Sequence, residues 1–424
     1  MKIHIKNGRL IDAKHGIDAI QDIFIAKGKI VAIGTVPDDF QASRIIDADS
    51  LIVCAGLVDL SVRLREPGFE YKATLESEMD AVVAGGVTSI ACPPDTDPPL
   101  DEPGLVEMLK YRAKNLNLAH VYPIGALTQG LKGERLTEMA ELNDAGCVVF
   151  GQPDGLLTNL RVLIQAMRYA STFGFSVWLR PQEISLTSDG VAHDGEVATR
   201  LGLPVVPVCA ETVALSNIIL LAKETGVRVH LCRISSAEGV AMIRAAKKQG
   251  IAITCDVSVN HLHLSDMDIG FFDSNCHLMP PLRGSSDRDA LRNSFQDGTI
   301  DAICSDHTPV DEDAKLLPFG QSEVGATGVE LLLPLTLKWG MEMRLPLLKV
   351  LAKVTSRPAE ILGIDAGHLS VGSVADICIF DPECYWKVTP STILSQGKNT
   401  PFLGMELPGK VKYTLVNGHV IYEH

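Results

Sequence analysis

The sequence predicts an α/β protein: a (β/α)8 TIM barrel with a small β-sandwich domain composed of both chain ends. Three observations carry this. The chain has 424 residues and 46% hydrophobic content, enough for one barrel of roughly 250–300 residues and a smaller unit beside it. Its middle alternates eight short apolar, β-branched runs with helix-like stretches. Its two ends share another texture, short β-like runs punctuated by turns.

Taken in order, the N-terminal runs lie at 1–5, 19–25 and 29–33, with Asn7-Gly8 and Lys27-Gly28 as turn signals. The same texture returns at 375–380, 410–416 and 419–422, where Asn417-Gly418 marks a hairpin. Residues 1–53 and 365–424 are therefore expected to form one composite β domain, with the barrel, 54–364, inserted between them. The eight barrel runs are 57–60, 87–92, 120–124, 147–150, 175–179, 227–231, 252–257 and 302–304. Candidate helices between them include 71–84, 103–115, 160–172, 210–225, 237–249 and 287–297, and Gly85-Gly86 reads as a helix stop. A doubly wound sheet is the rival, but no Gly-x-Gly-x-x-Gly follows an early strand.

The formal net charge of −14 argues against a nucleic-acid binder, since phosphate binding needs a basic face. No apolar run reaches the roughly 18–20 residues of a membrane span, and Met1-Lys2-Ile3-His4-Ile5-Lys6 lacks the apolar stretch of a signal peptide. The ten cysteines form no C-x-x-C pair and sit mostly in apolar runs, as reduced thiols of a cytoplasmic protein do.

In such a barrel, active groups project from the C-terminal strand ends and the loops that follow. Those ends present Ser61, Arg63 and Arg65 after strand one, and Cys92-Pro93-Pro94-Asp95 after strand two. Gln152-Pro153-Asp154 follows strand four, Arg180 and Gln182 strand five, and Arg233 and Ser235 strand six. Asn260-His261-Leu262-His263 follows strand seven and Ser305-Asp306-His307-Thr308-Pro309 strand eight.

These landmarks, together with Leu64-Arg65-Glu66-Pro67-Gly68, Pro280-Pro281-Leu282-Arg283 and Asn399-Thr400-Pro401-Phe402, resemble the dihydroorotase family of the amidohydrolase superfamily over nearly the whole chain. That family interconverts dihydroorotate and carbamoyl aspartate in pyrimidine synthesis. It holds zinc through a His-x-His pair, histidines after strands five and six, an aspartate after strand eight and a bridging carboxylate near strand four. Carried over, the His-x-His pair falls on Ser61 and Arg63, the two single histidines on Arg180 and Arg233, and the aspartate on Asp306. The strand-four carboxylate falls nearest Asp154, where Pro153 interrupts the pattern. The relic of the substrate pocket comprises Arg65, Asp95, Asn260, His261, Met279 and His307; an asparagine has become Asp95 and another Met279.

A guanidinium is cationic at any working pH and offers no lone pair. Since zinc hydrolysis needs three or four N, O or S ligands, the resemblance implies a pseudoenzyme with no zinc or other cofactor and, at most, Asp306 as a vestigial catalytic group. Stripped of metal, Asp306 needs a partner, and Arg63, Arg180 or Arg233 is expected to supply it. Inactive chains of this family serve some bacterial aspartate carbamoyltransferases as assembly subunits. The resemblance thus implies that enzyme's catalytic chain as partner, and a homo-oligomer within the larger complex. The rivals are a working cyclic amidohydrolase with an altered site and a metal-free binder of a pyrimidine intermediate. His261-Leu262-His263 and His307 read as structural, and His230 as buried between barrel and helices.

Overall fold

The computed structural model describes residues 2–152 and 159–424. Both chain ends meet in one β-sandwich. One sheet is N-terminal: Lys2–Lys6 runs antiparallel to Ile23–Ala26 and parallel to Arg44–Asp47, and Lys29–Ile33 completes it. In the other, Ile52–Ala55 pairs in parallel with Arg9–Asp12 and antiparallel with Ile377–Lys387, which leads on to Glu406–Val416 and His419–Glu423. Alternation of period two aims Ile3, Ile5, Ile23 and Ile25 inward, with Ile3 opposite Ile25 and Ile5 opposite Ile23. They bury themselves with Leu10, Val53, Ile377 and Leu415.

The turn signals act as expected. Lys27-Gly28 and Asn417-Gly418 each place two successive residues at positive φ (52° and 79°; 52° and 68°), the geometry of a two-residue hairpin. The run expected at 19–25 is in fact two strands in different sheets, Ile17–Ile20 and Ile23–Ala26. Between them the Asp22 carboxylate accepts the Asn7 N–H and bonds the His4 ring, which pins the crossing. Strand Ile52–Ala55 straddles the domain boundary expected at 53/54.

The barrel strands are Leu57–Asp59, Val87–Cys92, His120–Ala126, Val149–Gln152, Ser176–Leu179, Arg228–Leu231, Ile253–Ser258 and Ala302–Cys304, each parallel to the next. Closure comes beyond the regular ends of the first and last strands. The Arg63 N–H donates to the His307 carbonyl and the His307 N–H to the Ser61 carbonyl, both at 3.0 Å. That ladder sets Ser61 and Arg63 beside Asp306. Inside the barrel pack Val58, Leu60, Ala91, Ile124, Val149, Trp178 and Ala302, and Ala359 and Leu362 of helix Ser356–Leu362 join them. His230 belongs here, not between barrel and helices. Val229 and Leu231 face outward to the helix-side core, so strand alternation turns His230 inward, its ring tilted against that of Trp178.

Helices Pro103–Leu116, Leu160–Phe173, Cys209–Thr225 and Ala237–Lys248 lie close to the expected spans. The first helix starts at Leu75 rather than 71, because Thr74 and Ser77 exchange capping-box hydrogen bonds. Helix Leu332–Glu342 escaped the pattern: Leu332, Leu333, Leu335, Leu337 and Trp339 are all buried, leaving little polar face to mark a helical period. Seven of the ten cysteines are buried, and Cys209 is exposed. Among the described residues no helix is long and apolar enough to cross a membrane.

Candidate functional site at the barrel mouth

Three residues at the mouth adopt left-handed backbone, Arg65 (φ 63°), Arg233 (φ 56°) and Asp306 (φ 51°). Side chains seldom accept that region, and where they do the surroundings must hold them. Here the Asp256 carboxylate accepts the Arg233 N–H at 2.6 Å, and the Thr308 hydroxyl donates to the Asp306 carbonyl at 3.0 Å. Beneath them the buried Asp59 carboxylate accepts the N–H groups of Ser305 and Ser61 at 3.0 and 3.3 Å, tying strand eight to strand one. Burial outweighs those bonds and raises the Asp59 carboxyl to about 6. Asp59 was not among the expected site residues; nothing in its sequence neighbourhood separates it from an ordinary strand-end acid.

The centre of the mouth is an ion network. Asp306 Oδ1 accepts from Arg233 at 2.9 Å, from Arg63 at 3.3 Å and from the Ser61 hydroxyl at 3.3 Å. Arg63 also donates from Nε to Asp95 at 2.7 Å and to the Thr308 hydroxyl at 2.9 Å. The expected guanidinium partner of Asp306 is therefore supplied twice. Arg65 turns its Nε to the Pro309 carbonyl at 2.8 Å. A cleft of about 450 Å³ opens above, lined by these arginines with Arg180, Asp95, Met279 and Asp306, and also by Gln182, Thr308 and Glu323. Glu323 reaches it from a loop well beyond strand eight, and sequence spacing carried no sign of that. Asp154 lies outside the described residues.

Three expected pocket residues do not line the cleft. His307 is fully buried: its Nε2 meets Glu78 at 2.6 Å, while Nδ1 accepts the N–H groups of Gly328 and Val329. Burial alone would raise the Glu78 carboxyl, but His307 and its other donors hold it below its usual range. His261 bonds the Ser258 hydroxyl and the Pro281 carbonyl, and burial pushes its ring down to about 4. Asn260 is buried in the short helix Val259–His263. All three are consumed by packing, since a loop that must present charges needs internal hydrogen bonds to hold its shape. Ser61 lines a small cavity of about 30 Å³ just below the cleft.

At the positions onto which the family's zinc ligands carry over, the described side chains offer one carboxylate, one hydroxyl and three guanidiniums. This set does not fit a zinc ion, which needs three or four donors with available lone pairs. Among the described residues the group with ligand-like spacing is His230, Cys232 and Asp256, inside the barrel. Two of its members are already engaged: His230 bonds Thr254 and Asp256, both at 2.9 Å, and Asp256 also accepts the Arg233 N–H. Burial, reinforced by Asp256, drives the Cys232 thiol well above its ordinary value, away from thiolate.

Fold and site together define an amidohydrolase-type barrel with an arginine-rich mouth. L-hydantoinase from Arthrobacter aurescens superposes with a TM-score of 0.89 at 27% identity, over 99% of this chain and 96% of its own. The dihydro-orotase-like family model matches residues 50–239. A dihydroorotase-like protein of Pseudomonas putida is 46% identical over 100% of this chain and 99% of its own length; one of Pseudomonas aeruginosa is 43% identical over the full length of both. A dihydroorotase of Geobacter sp. (strain M21) is 38% identical, again over the full length of both. The chain belongs to the dihydroorotase-like family.

Proposed function

We propose that this chain is a catalytically inactive, zinc-free member of its family, serving in the cytoplasm as an assembly subunit of aspartate carbamoyltransferase. The observation that carries the reading is the binding of Asp306 by Arg63 and Arg233. A metal-bound hydroxide requires an ion held by several lone pairs, and these guanidiniums occupy the carboxylate without offering any. Like charge adds to the difficulty, because a dication entering the mouth meets the guanidiniums of Arg63, Arg180 and Arg233 along the cleft. The relatives at 46% and 43% identity are named dihydroorotase-like, whereas one at 38% is named dihydroorotase. Its partner in this reading is the transcarbamoylase catalytic chain, with several copies of each in the complex.

Two measurements test this. Purified chain should carry no stoichiometric transition metal and turn over neither carbamoyl aspartate nor dihydroorotate. Co-expression with the neighbouring transcarbamoylase chain should give a larger and more active particle than the transcarbamoylase alone. Tightly held zinc with turnover would overturn the first half, and an unchanged transcarbamoylase the second. The variant Ser61→His/Arg63→His/Arg180→His/Arg233→His should acquire zinc that the parent does not hold.

The open cleft with Arg65 on its wall favours one second reading, a metal-free binder of a pyrimidine intermediate. Heat on titrating dihydroorotate, orotate or carbamoyl aspartate into metal-free chain would support it.

A further inference from the structure

Two loops beside the mouth display large apolar side chains to solvent. Phe271 is 95% exposed, Leu316 77% and Met267 59%, and Phe272 and Leu317 are exposed with them. Isolated exposed apolar residues are ordinary, but five on two adjoining loops are not. The loops are locked together. Lys315 Nζ donates to the Ser274 carbonyl at 2.9 Å and to the Glu323 carbonyl at 2.6 Å, and the Ser274 hydroxyl donates back to the Lys315 carbonyl. The Cys276 thiol meets the Asp268 carbonyl at 3.3 Å. These side chains therefore stand on a fixed platform.

The exposed charges on the two loops have one sign. Residues 264–276 carry three acids and no base, and residues 310–324 carry four acids and one base, Lys315. Lys315 is buried with its ammonium on backbone carbonyls, whereas Asp268, Asp273, Glu312 and Asp313 are exposed. A two-fold contact between two copies would set acids against acids, which opposes self-association through this face.

We infer that Met267, Phe271, Phe272, Leu316 and Leu317 form the docking surface for a partner protein whose own contact face has an apolar centre and a basic rim. Taken with the function proposed above, on which this rests, that partner is the transcarbamoylase catalytic chain. Glu323 and Val324, which end the second loop, line the cleft, so the docked partner stands over the barrel mouth.

The test is a titration of purified transcarbamoylase chain with full-length wild type, with Phe271→Glu/Leu316→Glu and with Glu312→Lys/Asp313→Lys. Each variant is first checked for an unchanged melting temperature, as expected at exposed positions. The apolar pair should weaken binding on the order of 30-fold or more, the scale of an interface hot spot. The charge reversal should weaken it chiefly at low salt, with the difference fading as salt screens the rim. Wild type that binds while both variants bind equally well overturns this inference and leaves the proposed function standing. Wild type that fails to bind removes the proposed function itself. Variants that change only this chain's own oligomeric size would assign the patch to a second copy, against the inference.

Discussion

The sandwich core and the barrel mouth are buried by opposite means. In the sandwich, Ile3, Ile5, Ile23, Ile25, Ile30 and Ile46 meet Leu10, Val53 and Leu415 through non-directional contact, and one aliphatic residue could replace another at modest cost. At the mouth, Arg63, Arg233, Ser61 and Asp306 are nearly as buried, but each depends on a particular donor or acceptor. The difference teaches where residue identity matters. Pattern suffices for the sandwich, whereas at the mouth one imidazole replaced by one guanidinium changes what the site can bind.

Substitutions can break or sharpen that contrast. The largest effect is expected at the shared carboxylate. Asp306→Asn keeps the shape and tolerates the left-handed backbone, but removes the charge that Arg63 and Arg233 share. It should lower unfolding free energy by about 3–5 kcal/mol in denaturant titrations. A loss under about 1 kcal/mol would rank the network with surface ion pairs and erase the distinction.

Asp59 comes next, with the opposite sign. Its folded pKa of about 6 lies above the ordinary 3.8, so the folded chain binds this proton more tightly than the unfolded one. The associated stability is fully present below pH 3.8 and lost as pH rises through about 6. Asp59→Asn keeps an acceptor for Ser61 and Ser305 and cannot ionise. It should be more stable than the parent above pH 6, by up to about 3 kcal/mol, with a gap that narrows on acidification. Melting temperatures at about pH 5 and about pH 7.5 measure this, and a gap independent of pH would refute it.

In the sandwich core, Ile25→Val should cost only about 0.5–1.5 kcal/mol, read as a shift in denaturant midpoint. Smallest of all, Arg9→Ala breaks the exposed pair with Asp18 and should cost less than about 1 kcal/mol, shrinking further in salt. A larger penalty there than at Ile25 would reverse the order on which the contrast rests.

Much of this was legible in the chain itself. Eight apolar runs became eight strands, because buried parallel strands demand continuous β-branched sequence whatever surrounds them. Asn417-Gly418 became a hairpin because Asn and Gly take successive positive φ with little strain, and Lys27-Gly28 became one with Gly28 in the same role and Lys27 also at positive φ. Ser61, Arg63, Arg180 and Arg233 could be placed at the mouth, since strand ends in a barrel all point one way. His261 and His307 were legible as structural residues, whereas His230, which faces into the barrel, was harder to place. His261 and His307 stand at strand ends like the arginines, yet packing turns them to Ser258, Pro281 and Glu78.

Chain order by itself determined the barrel, the composite sandwich and the kinds of side chain gathered at one end, because periodicity and turn chemistry are local properties. Tertiary structure alone decided that Arg63 and Arg233 converge on one oxygen of Asp306, that His230 faces inward, that Asp59 sits dry enough to hold a proton near pH 6, and that Glu323 reaches the cleft. The reason is distance. Hydrogen bonds and desolvation act over a few ångströms between residues as far apart as 63 and 306, and only closure of the barrel brings such groups within reach.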